Sequence, residues 1–555
     1  MGKKEKYHLI IIRPTRYDDD GYPLQWRKSL MPSNTLACLY GLTSDCRDRK
    51  ILGDNVAIVL HVIDESNTRV QPKKLVRNIK GEGERALLLL AGVQTNQFPR
   101  ALDLARQFLA LGVPVSLGGF HVSGCLAMLP DLPAELRTAQ EMGISLFAGE
   151  AESQRLDNVI MDAYLGKLQP VYNFLGDLPD LVEQPIPHLP AEIVNRNYSA
   201  YGSFDLGRGC PFQCSFCTII NVQGRKSRFR SPDDLEKIIR ANHKLGIHRF
   251  FLTDDNFSRN ANWAACLDRL IALRREGIKI RIQAQLDTVC HRIPGFIEKC
   301  VEAGVDNIFI GIETINSDNL GTINKGQNNI GEYRNALLAW KKFPIVICAG
   351  YILGFPADTK ESILRDIETI KRELPIDIIH FSHLTPLPGS EDHRKLIAEG
   401  AWIDPDLNKF DLSHRVTKHP EMSAADIDDL FKKAWDSFYT FEHMETILKR
   451  MVALGSNKKL STVNRLLMYR ESHRLRGVCA LEGGLFRLKY RMDRRQGLQV
   501  ENPIAFHLKF AWESLYVASV SCATYFRLRR ILKSIWTDPR RFEYTDAAIV
   551  SSTTK

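Results

Sequence analysis

Residues 207–217 read GRGCPFQCSFC and place Cys210, Cys214 and Cys217 in a C-x3-C-x2-C pattern. Three thiolates so close together suit either an iron–sulfur cluster or zinc. Structural zinc usually takes four ligands from two separated pairs, and the other nine cysteines are single and scattered. We expect those nine to be small buried side chains. The triad therefore predicts a metal-binding loop that holds an iron–sulfur cluster and leaves one iron open.

Six apolar strand patterns follow one another through residues 200–390, and the cysteine triad comes directly after the first. Amphipathic helix patterns, such as 233–245, 263–276 and 359–372, lie between them. Repeated strand–helix units predict a partial (β/α)6 barrel, in which chemistry gathers at the carboxyl ends of the strands. The predicted strands are 203–206, 249–253, 279–285, 307–312, 345–353 and 378–384.

Residues 7–150 also alternate apolar strand patterns with helix patterns. Continuous apolar strands separated by helices indicate a parallel sheet covered on both faces. We therefore expect an α/β, doubly wound, Rossmann-like domain whose ligand lies beyond the carboxyl ends of its strands. The predicted strands are 8–12, 56–63, 85–93, 113–117 and 145–148, and the predicted helices are 34–41, 73–79 and 99–111.

Polar residues and glycines follow the predicted N-terminal strands. Gln94 and Thr95 follow Val93, Gly118 and Gly119 follow Leu117, and Glu150 follows the last strand. Paired glycines let a ligand approach the backbone closely. The alternative interpretation is that these positions only form tight strand–helix turns.

Polar residues also end the predicted barrel strands. Asp254 and Asp255 follow the second strand, Gln285 ends the third, and Glu313 ends the fourth. A carboxylate at the end of an apolar strand is more often a site than part of a core. The alternative for one of the two aspartates is an N-cap of the next helix. The fifth strand ends in GYILG, which contains Tyr351 and Gly354.

These motifs together resemble the radical S-adenosylmethionine (SAM) superfamily. The loop has the superfamily's spacing, with aromatic Phe216 before the last cysteine. The resemblance implies that the three cysteines bind a 4Fe–4S cluster and that SAM chelates the open iron. It implies SAM contacts for Asp254 or Asp255, Gln285 and Glu313, and places the 350–354 element beside the adenine. Reductive cleavage of SAM would then give a 5′-deoxyadenosyl radical, with electrons from an external donor such as flavodoxin or ferredoxin.

The order of the two predicted domains resembles cobalamin-dependent radical SAM enzymes. Residues 118–121, GGFH, and 149–152, GEAE, match turns of their cobalamin domain, which implies cobalamin contacts for Gln94, Thr95, Gly118, Gly119 and Glu150. The D-x-H-x-x-G motif that supplies a histidine to cobalt is absent, and we interpret His121 as a structural turn residue. The alternative is a domain that has lost the cofactor and serves as a lid.

The leading functional hypothesis is a methyltransferase of the class B radical SAM type that acts on an unactivated carbon. In the cycle that the resemblance implies, one SAM methylates cob(I)alamin, and a second gives the radical that removes hydrogen from the substrate. The carbon radical then takes the methyl group from methylcobalamin. One alternative is oxidative cyclisation or carbon–carbon joining on a lipid or tetrapyrrole. Another is a non-catalytic iron–sulfur protein.

The 555 residues carry a net charge of +10, concentrated near the C-terminus. Residues 441–555 hold 21 Lys and Arg against 10 Asp and Glu, whereas the rest is close to neutral. A basic segment beside an apolar one, as at 516–533, can lie on an anionic membrane, which would suit a lipid or isoprenoid substrate. The alternative is ordinary solvated arginines packed on the barrel. No nucleic-acid-binding module is recognisable, so we expect no nucleic-acid partner.

The whole composition, 44% hydrophobic and 25% charged, excludes a disordered, collagen-like or multi-span membrane chain. We expect a cytoplasmic enzyme of small molecules, with the alternative of a peripheral position at the inner membrane face. Its substrate pocket should lie between the cofactor sites, near Tyr351 and His383. The expected divisions are a cobalamin domain 1–155, a linker 156–200, a radical SAM barrel 201–390, a helical extension 391–455 and a basic helical region 456–555.

Overall fold

The computed structural model describes residues 4–79, 84–198, 201–322, 330–456 and 459–550, and its N-terminal part is a six-stranded parallel sheet. Successive residues of the first strand enter different cores: Leu9 and Ile11 join one, Ile10 and Ile12 the other. Both faces are therefore covered, and the predicted doubly wound fold is confirmed. In spatial order the strands are Val56–Asp64, Glu5–Arg13, Arg85–Leu90, Val115–Gly118, Ile144–Ala148 and Val171–Asn173. The helices over this sheet are Asn34–Asp48, Pro72–Ile79, Phe98–Leu109, Phe120–Met128, Ala134–Glu141 and Arg155–Tyr164.

The sixth of these strands, Val171–Asn173, was not predicted, because it falls in the expected linker. It is three residues long and carries no apolar run that would mark a strand. Its pairing with Ile144–Ala148 extends the sheet beyond the expected end of the first domain.

A second parallel sheet of six strands confirms the predicted partial barrel. It begins at Tyr201–Phe204 and ends at the edge strand Ile378–His383, with the intervening strands in chain order: Arg249–Leu252, Arg281–Leu286, Val305–Glu313 and Val346–Leu353. The helices that accompany it are Ala191–Val194, Ile219–Val222, Pro232–Lys244, Trp263–Arg275, Phe296–Ala303, Ser317–Thr322, Ile330–Lys341, Lys360–Glu373 and Glu391–Ala398. Their apolar faces join Phe250, Ile310 and Ile347 in the larger core.

The C-terminal region packs against both sheets. Its helices are Ala424–Phe438, Phe441–Ala453, Lys459–Arg476 and Pro503–Thr537. The region after residue 456 is mainly helical, as expected, but Gly484–Leu488 forms an antiparallel strand with Gln25–Ser29 that was not predicted. A two-residue ladder, Gly207–Arg208 with Arg228–Phe229, also lies beside the cysteine loop.

Many basic residues of the C-terminal region are paired with acids from other parts of the chain. Lys489 contacts Asp20 at 3.0 Å, and Arg487 contacts Asp18 at 2.7 Å. The positive charge therefore belongs partly to the packing of the C-terminal region and not to a separate tail. Among the helices of the described residues, none is at once long and apolar enough to cross a bilayer.

Candidate active site

The loop with the cysteine triad follows the first barrel strand and is closely held by backbone contacts. The amide of Cys210 donates to the carbonyl of Gly224 at 3.2 Å. Gly209 has φ +88°, and a Cβ there would lie 2.5 Å from the carbonyl oxygen of Lys226, so only glycine fits. Cys210 and Cys217 are half-buried, Cys214 is buried, and none forms a disulfide. The loop thus presents three thiols as one set.

The pKa values of two of the cysteine thiols, those of Cys210 and Cys217, lie above the usual range. Burial raises the pKa of Cys217 to about 12 and also raises that of Cys210, and the negative charge of Asp255 adds to both shifts. Thiols that resist ionisation without a cation, as Cys210 and Cys217 do, suit a site that ionises when metal binds, since metal ligation releases the proton.

The two aspartates after the second strand have different surroundings. Asp254 is buried and accepts hydrogen bonds from the amide of Leu206 at 2.7 Å and from Asn260 at 3.1 Å. Asp255 is exposed and lies close enough to Cys210 and Cys217 to shift both thiols. Desolvation by the walls around it raises the pKa of Asp255 to about 7. Asp254 therefore holds the loop together, and Asp255 faces the cysteine triad.

The end of the third barrel strand holds the loop that contains Asp254 and Asp255 in place. Gln285 donates from its amide nitrogen to the carbonyl of Asp254 at 3.2 Å. Asp287 is buried and accepts from Asn256 at 3.1 Å and from Ser258 at 3.0 Å. These bonds fix the position of Asp255 relative to the cysteines.

Glu313, at the end of the fourth strand, has an unusual backbone conformation. Its φ is +61°, which costs a non-glycine residue roughly 1–2 kcal/mol. The pairing with the fifth strand shifts its register between Gly311 and Glu313, which takes this side chain out of the strand's alternation. Such strain persists where the surroundings fix it, and it concentrates at functional sites.

Two predicted pocket residues lie on the outer side of the sheet instead. Tyr351 is fully buried, and its hydroxyl donates to Asp366 of the covering helix Lys360–Glu373 at 2.8 Å. His383 stacks on Phe431 with ring centroids 4.1 Å apart. The expectation that both line a pocket between the cofactor sites is therefore wrong. Strand alternation turns both side chains toward the helices.

Gly354 follows the same strand, and its amide donates to Asp358 at 2.9 Å. Its φ is +94°, and an added Cβ would meet open space. Phe216 is half-buried inside the cysteine loop, as its place in the motif predicts.

A large cavity lies at the carboxyl end of the N-terminal sheet. It contains about 1010 Å³ of space including the solvent at its mouth, within the range of ligand pockets. Its floor contains Gly118 and Gly119, as predicted. At Gly119, with φ +148°, a Cβ would lie 2.2 Å from the backbone of Val93, so the floor carries no side chain there. Glu150 lines the cavity, and its opposite wall is formed by Arg208, Val222 and Gln223 beside the cysteine loop.

Gln94 and Thr95 are not part of the cavity lining. Gln94 is exposed, and its amide donates to the side chain of Gln97 at 3.0 Å. Thr95 is buried, with its hydroxyl 3.2 Å from Nδ1 of His121. The turn that contains them points away from the cavity, so the structure does not bring these two predicted contacts to the site.

Comparison with known proteins agrees with this geometry. Residues 205–370 match the Radical SAM superfamily, and this range includes the cysteine triad and the ends of the second to fifth barrel strands. Residues 205–370 form a radical SAM domain.

Sequence relatives of the chain extend beyond the radical SAM domain. An uncharacterised methyltransferase of Pyrococcus horikoshii is 29% identical over 49% of this chain and 61% of its own length. The hopanoid C-2 methylase of Rhodopseudomonas palustris is 27% identical over 55% of this chain and 56% of its own. The bacteriochlorophyllide d C-12(1)-methyltransferase of Chlorobaculum tepidum is 27% identical over 62% of this chain and 72% of its own length. The chain thus spans about three fifths of the length of the first two.

One solved structure shares the arrangement of both sheets. OxsB, a cobalamin-dependent SAM radical enzyme determined with aqua-cobalamin and SAM, aligns over 99% of this chain and 83% of its own with a TM-score of 0.54. At 13% identity, this likeness shows the fold alone.

A buried ion-pair network joins the N-terminal sheet to the radical SAM domain. Arg208 lies two residues before Cys210 and contacts Glu150 and Glu152 of the GEAE turn, each at 2.6 Å. Its Nε also donates to Asp205 at 3.0 Å. Arg228, across the two-residue ladder, donates to Glu150 at 3.0 Å. The N-terminal domain therefore holds the cluster loop of the radical SAM domain through charge-assisted hydrogen bonds.

Sequence reasoning missed this role for Arg208 and Arg228 and assigned Glu150 to a cofactor. A signal was available, because an arginine flanks the cysteine motif and two glutamates stand in the GEAE turn. Nothing in the sequence, however, brings residue 150 next to residue 208.

Proposed function

We propose that this chain is a radical SAM enzyme that uses cobalamin to transfer a methyl group to an unactivated sp3 carbon. The observation that carries the proposal is the cavity at the carboxyl edge of the N-terminal sheet, whose opposite wall, formed by Arg208, Val222 and Gln223, flanks the cysteine loop on both sides in sequence. A cofactor bound in that cavity would lie beside the metal cluster that the cysteine triad holds. Two cofactors that act on one carbon need that proximity.

The cysteine loop fits a 4Fe–4S cluster with one open iron, because three thiols share one loop and no fourth cysteine joins them in sequence. When bound there, the cluster supplies the electron that cleaves SAM to a 5′-deoxyadenosyl radical. Asp255 would accept hydrogen bonds from the SAM amino group, since it is the exposed carboxylate beside the triad. Gln285 would position that loop, and Glu313 would contact the amine or ribose.

The cavity fits cobalamin by its size and by the side-chain-free floor at Gly118 and Gly119. Its described lining contains no histidine, so the residues that would hold cobalamin there are the glycines of the floor and the polar side chains of the wall. When bound, cobalamin supplies the methyl group. The protein's part is to hold the two cofactors on either side of Arg208 and to exclude water between them.

The reaction balances with two SAM molecules and two electrons from an external donor. One SAM gives its methyl group and leaves as S-adenosylhomocysteine. The other gives methionine and 5′-deoxyadenosine, which carries the hydrogen atom taken from the substrate. The substrate C–H bond is thereby replaced by C–CH3.

The relatives named as methylases of hopanoids and bacteriochlorophyllides support methyl transfer over cyclisation, and they point to a large apolar substrate.

The proposal is tested with the reconstituted enzyme, cobalamin, a reductant and SAM with a deuterated methyl group, supplied with lipid and pigment extracts. We expect one product to gain a labelled methyl group, with equal amounts of 5′-deoxyadenosine and S-adenosylhomocysteine. Deoxyadenosine without S-adenosylhomocysteine during substrate turnover would overturn methyl transfer in favour of cyclisation. No deoxyadenosine at all would overturn the radical mechanism.

We also propose that the enzyme works at an anionic membrane surface, through the helix Pro503–Thr537. Ile504, Leu508, Trp512 and Leu515 are spaced along one face of it and are 67–72% exposed. Between Phe506 and Thr524 the helix has no buried residue, whereas Leu528 and Leu532 anchor its second half in the core. An exposed apolar helix face of this kind is normally shielded from water by a partner protein or a membrane.

The positive charge around this helix favours anionic lipid as the surface that shields the apolar face. Arg527, Arg529, Arg530 and Lys533 follow the apolar stretch and are exposed. Aromatic residues and arginines beside an apolar face are typical of interfacial helices. A second copy of the chain would bring the same positive charges together and would be repelled.

Flotation with liposomes tests the membrane proposal. We expect the full chain to float with anionic vesicles of phosphatidylglycerol and phosphatidylcholine, and the variant L508E/W512E/L515E to stay in the bottom fraction. The matched control L165E/L245E/I397E changes three exposed apolar residues elsewhere and should float like the wild type. Equal flotation of both variants contradicts the proposal. A concentration-dependent dimer that only the first variant loses would assign the face to a second copy.

A further inference from the structure

Three metal-ligating side chains meet outside the cavity, on the far side of the Gly118–Gly119 turn. His121 and Cys125 lie one turn apart on the helix Phe120–Met128, and Glu135 lies in the first turn of Ala134–Glu141. Their ligand atoms, one nitrogen, one sulfur and one oxygen, are all within 4.8 Å of one another. His121 Nε2 is 3.8 Å from the Glu135 carboxylate, too far for a hydrogen bond.

The imidazole of His121 is oriented as metal-bound histidines are. It is 1% exposed, and within the described part of the chain its Nε2 has no hydrogen-bond partner. Its other nitrogen is held by the hydroxyl of Thr95 at 3.2 Å. A buried nitrogen without a partner costs about 1–3 kcal/mol, which a ligand would recover.

We propose that His121, Cys125 and Glu135 bind a zinc ion. Zinc accepts nitrogen, sulfur and oxygen ligands together, at bond lengths that place tetrahedral ligand atoms about 3.3–3.8 Å apart. The three side chains need to close in only slightly to reach that spacing. Binding deprotonates the Cys125 thiol and releases the proton to solvent. Glu135 is partly exposed, which gives the ion a path of entry.

The position of this site connects the two sheets. His393, on the helix Glu391–Ala398, is close enough that its charge disfavours protonation of His121, and its Nδ1 also has no partner among the described residues. It is not one of the side chains whose ligand atoms lie within 4.8 Å of one another, so it neighbours the three ligands without joining them. Between the two histidine-bearing helices, an added Cβ at Gly124 would lie 2.2 Å from the carbonyl of Pro388. Zinc here would fix the helix Phe120–Met128, which begins at the turn under the cavity, to the helix Ala134–Glu141.

The test measures zinc and iron in the full-length, reconstituted enzyme after incubation with zinc chloride and desalting. We expect one zinc per chain in addition to the cluster iron. X-ray absorption at the zinc edge should show a single sulfur neighbour at about 2.3 Å. Cys125→Ser should remove that sulfur, whereas Cys266→Ser, a buried cysteine on another helix, should leave it in place.

Two further variants keep the test decisive if a ligand substitution disturbs folding. Thr95→Val leaves the ligands intact but frees the His121 ring, and we expect zinc affinity to fall about 10–100-fold. The variant C210A/C214A/C217A should lose the cluster and keep its zinc. Absence of zinc from the wild type, or a sulfur neighbour that survives Cys125→Ser, would overturn the site.

Discussion

Cys214→Ala is expected to abolish 5′-deoxyadenosine formation, with turnover falling to the level of a reaction without enzyme. Cys214 is the most buried member of the triad, and its loss leaves two thiolates for a cluster that needs three. Without a stably held cluster there is no open iron at which SAM would bind. The measurement is 5′-deoxyadenosine per cluster by chromatography after reconstitution with iron and sulfide, together with iron content and visible absorbance.

Cys266→Ala is the matched control for this prediction. Cys266 is equally a buried thiol, on the helix Trp263–Arg275 that packs outside the barrel, and it should leave iron content and deoxyadenosine formation at the wild-type level. If Cys214→Ala keeps a full cluster and cleaves SAM, these cysteines are not the cluster ligands. Equal loss in both variants would mean that the protein tolerates no small cavity, so their unfolding midpoints are compared first.

The parts of the fold that sequence predicts well are those with strong local patterns. Apolar runs such as residues 8–12 and 378–384 are strands because hydrophobic periodicity reports burial directly. Val171–Asn173 and Gly484–Leu488 escaped prediction because each becomes a strand only by pairing with a distant one. These two strands are stabilised by tertiary contacts, which a short stretch of sequence does not reveal.

The residues of the candidate site likewise fall into those that local sequence predicts and those that depend on tertiary contacts. Cys210, Cys214, Cys217 and Asp255 were predicted and lie together, because loop spacing and strand ends determine their positions. Tyr351 was assigned to the wrong face because a motif gives a residue's place along the strand and not the side to which it points. The pairing of Arg208 with the GEAE turn depends on how two sheets dock, which sequence patterning does not describe.

Arg208→Gln is expected to destabilise the protein by about 3–5 kcal/mol at pH 7, the cost of leaving buried charges without a partner. Glu150 keeps Arg228, and Asp205 keeps Arg230 at 3.5 Å, so Glu152 is the carboxylate that loses its ion pair with Arg208. The measurement is the free energy of unfolding from urea titration, followed by tryptophan fluorescence. Arg106→Gln, which breaks an exposed pair with Asp103, should cost under about 0.5 kcal/mol.

The dependence on pH distinguishes this mechanism from a general loss of packing. In the wild type, desolvation raises the pKa of Glu152, but the charge of Arg208 outweighs it and holds the pKa below its usual value. The pair's stabilisation is therefore present above the unfolded pKa of about 4.3 and is lost as pH falls through the folded pKa. In Arg208→Gln, desolvation and the charge of Asp205 are opposed by the charge of Arg230 alone, so we expect the pKa of Glu152 to rise and the variant to lose stability as pH increases from 4 to 7. The gap between the two proteins should narrow toward pH 4.5, and Arg208→Gln/Glu152→Gln should recover part of the loss at pH 7. A gap that is constant with pH, or a double variant less stable than the single one, would show that the network does not act through the charge of Glu152.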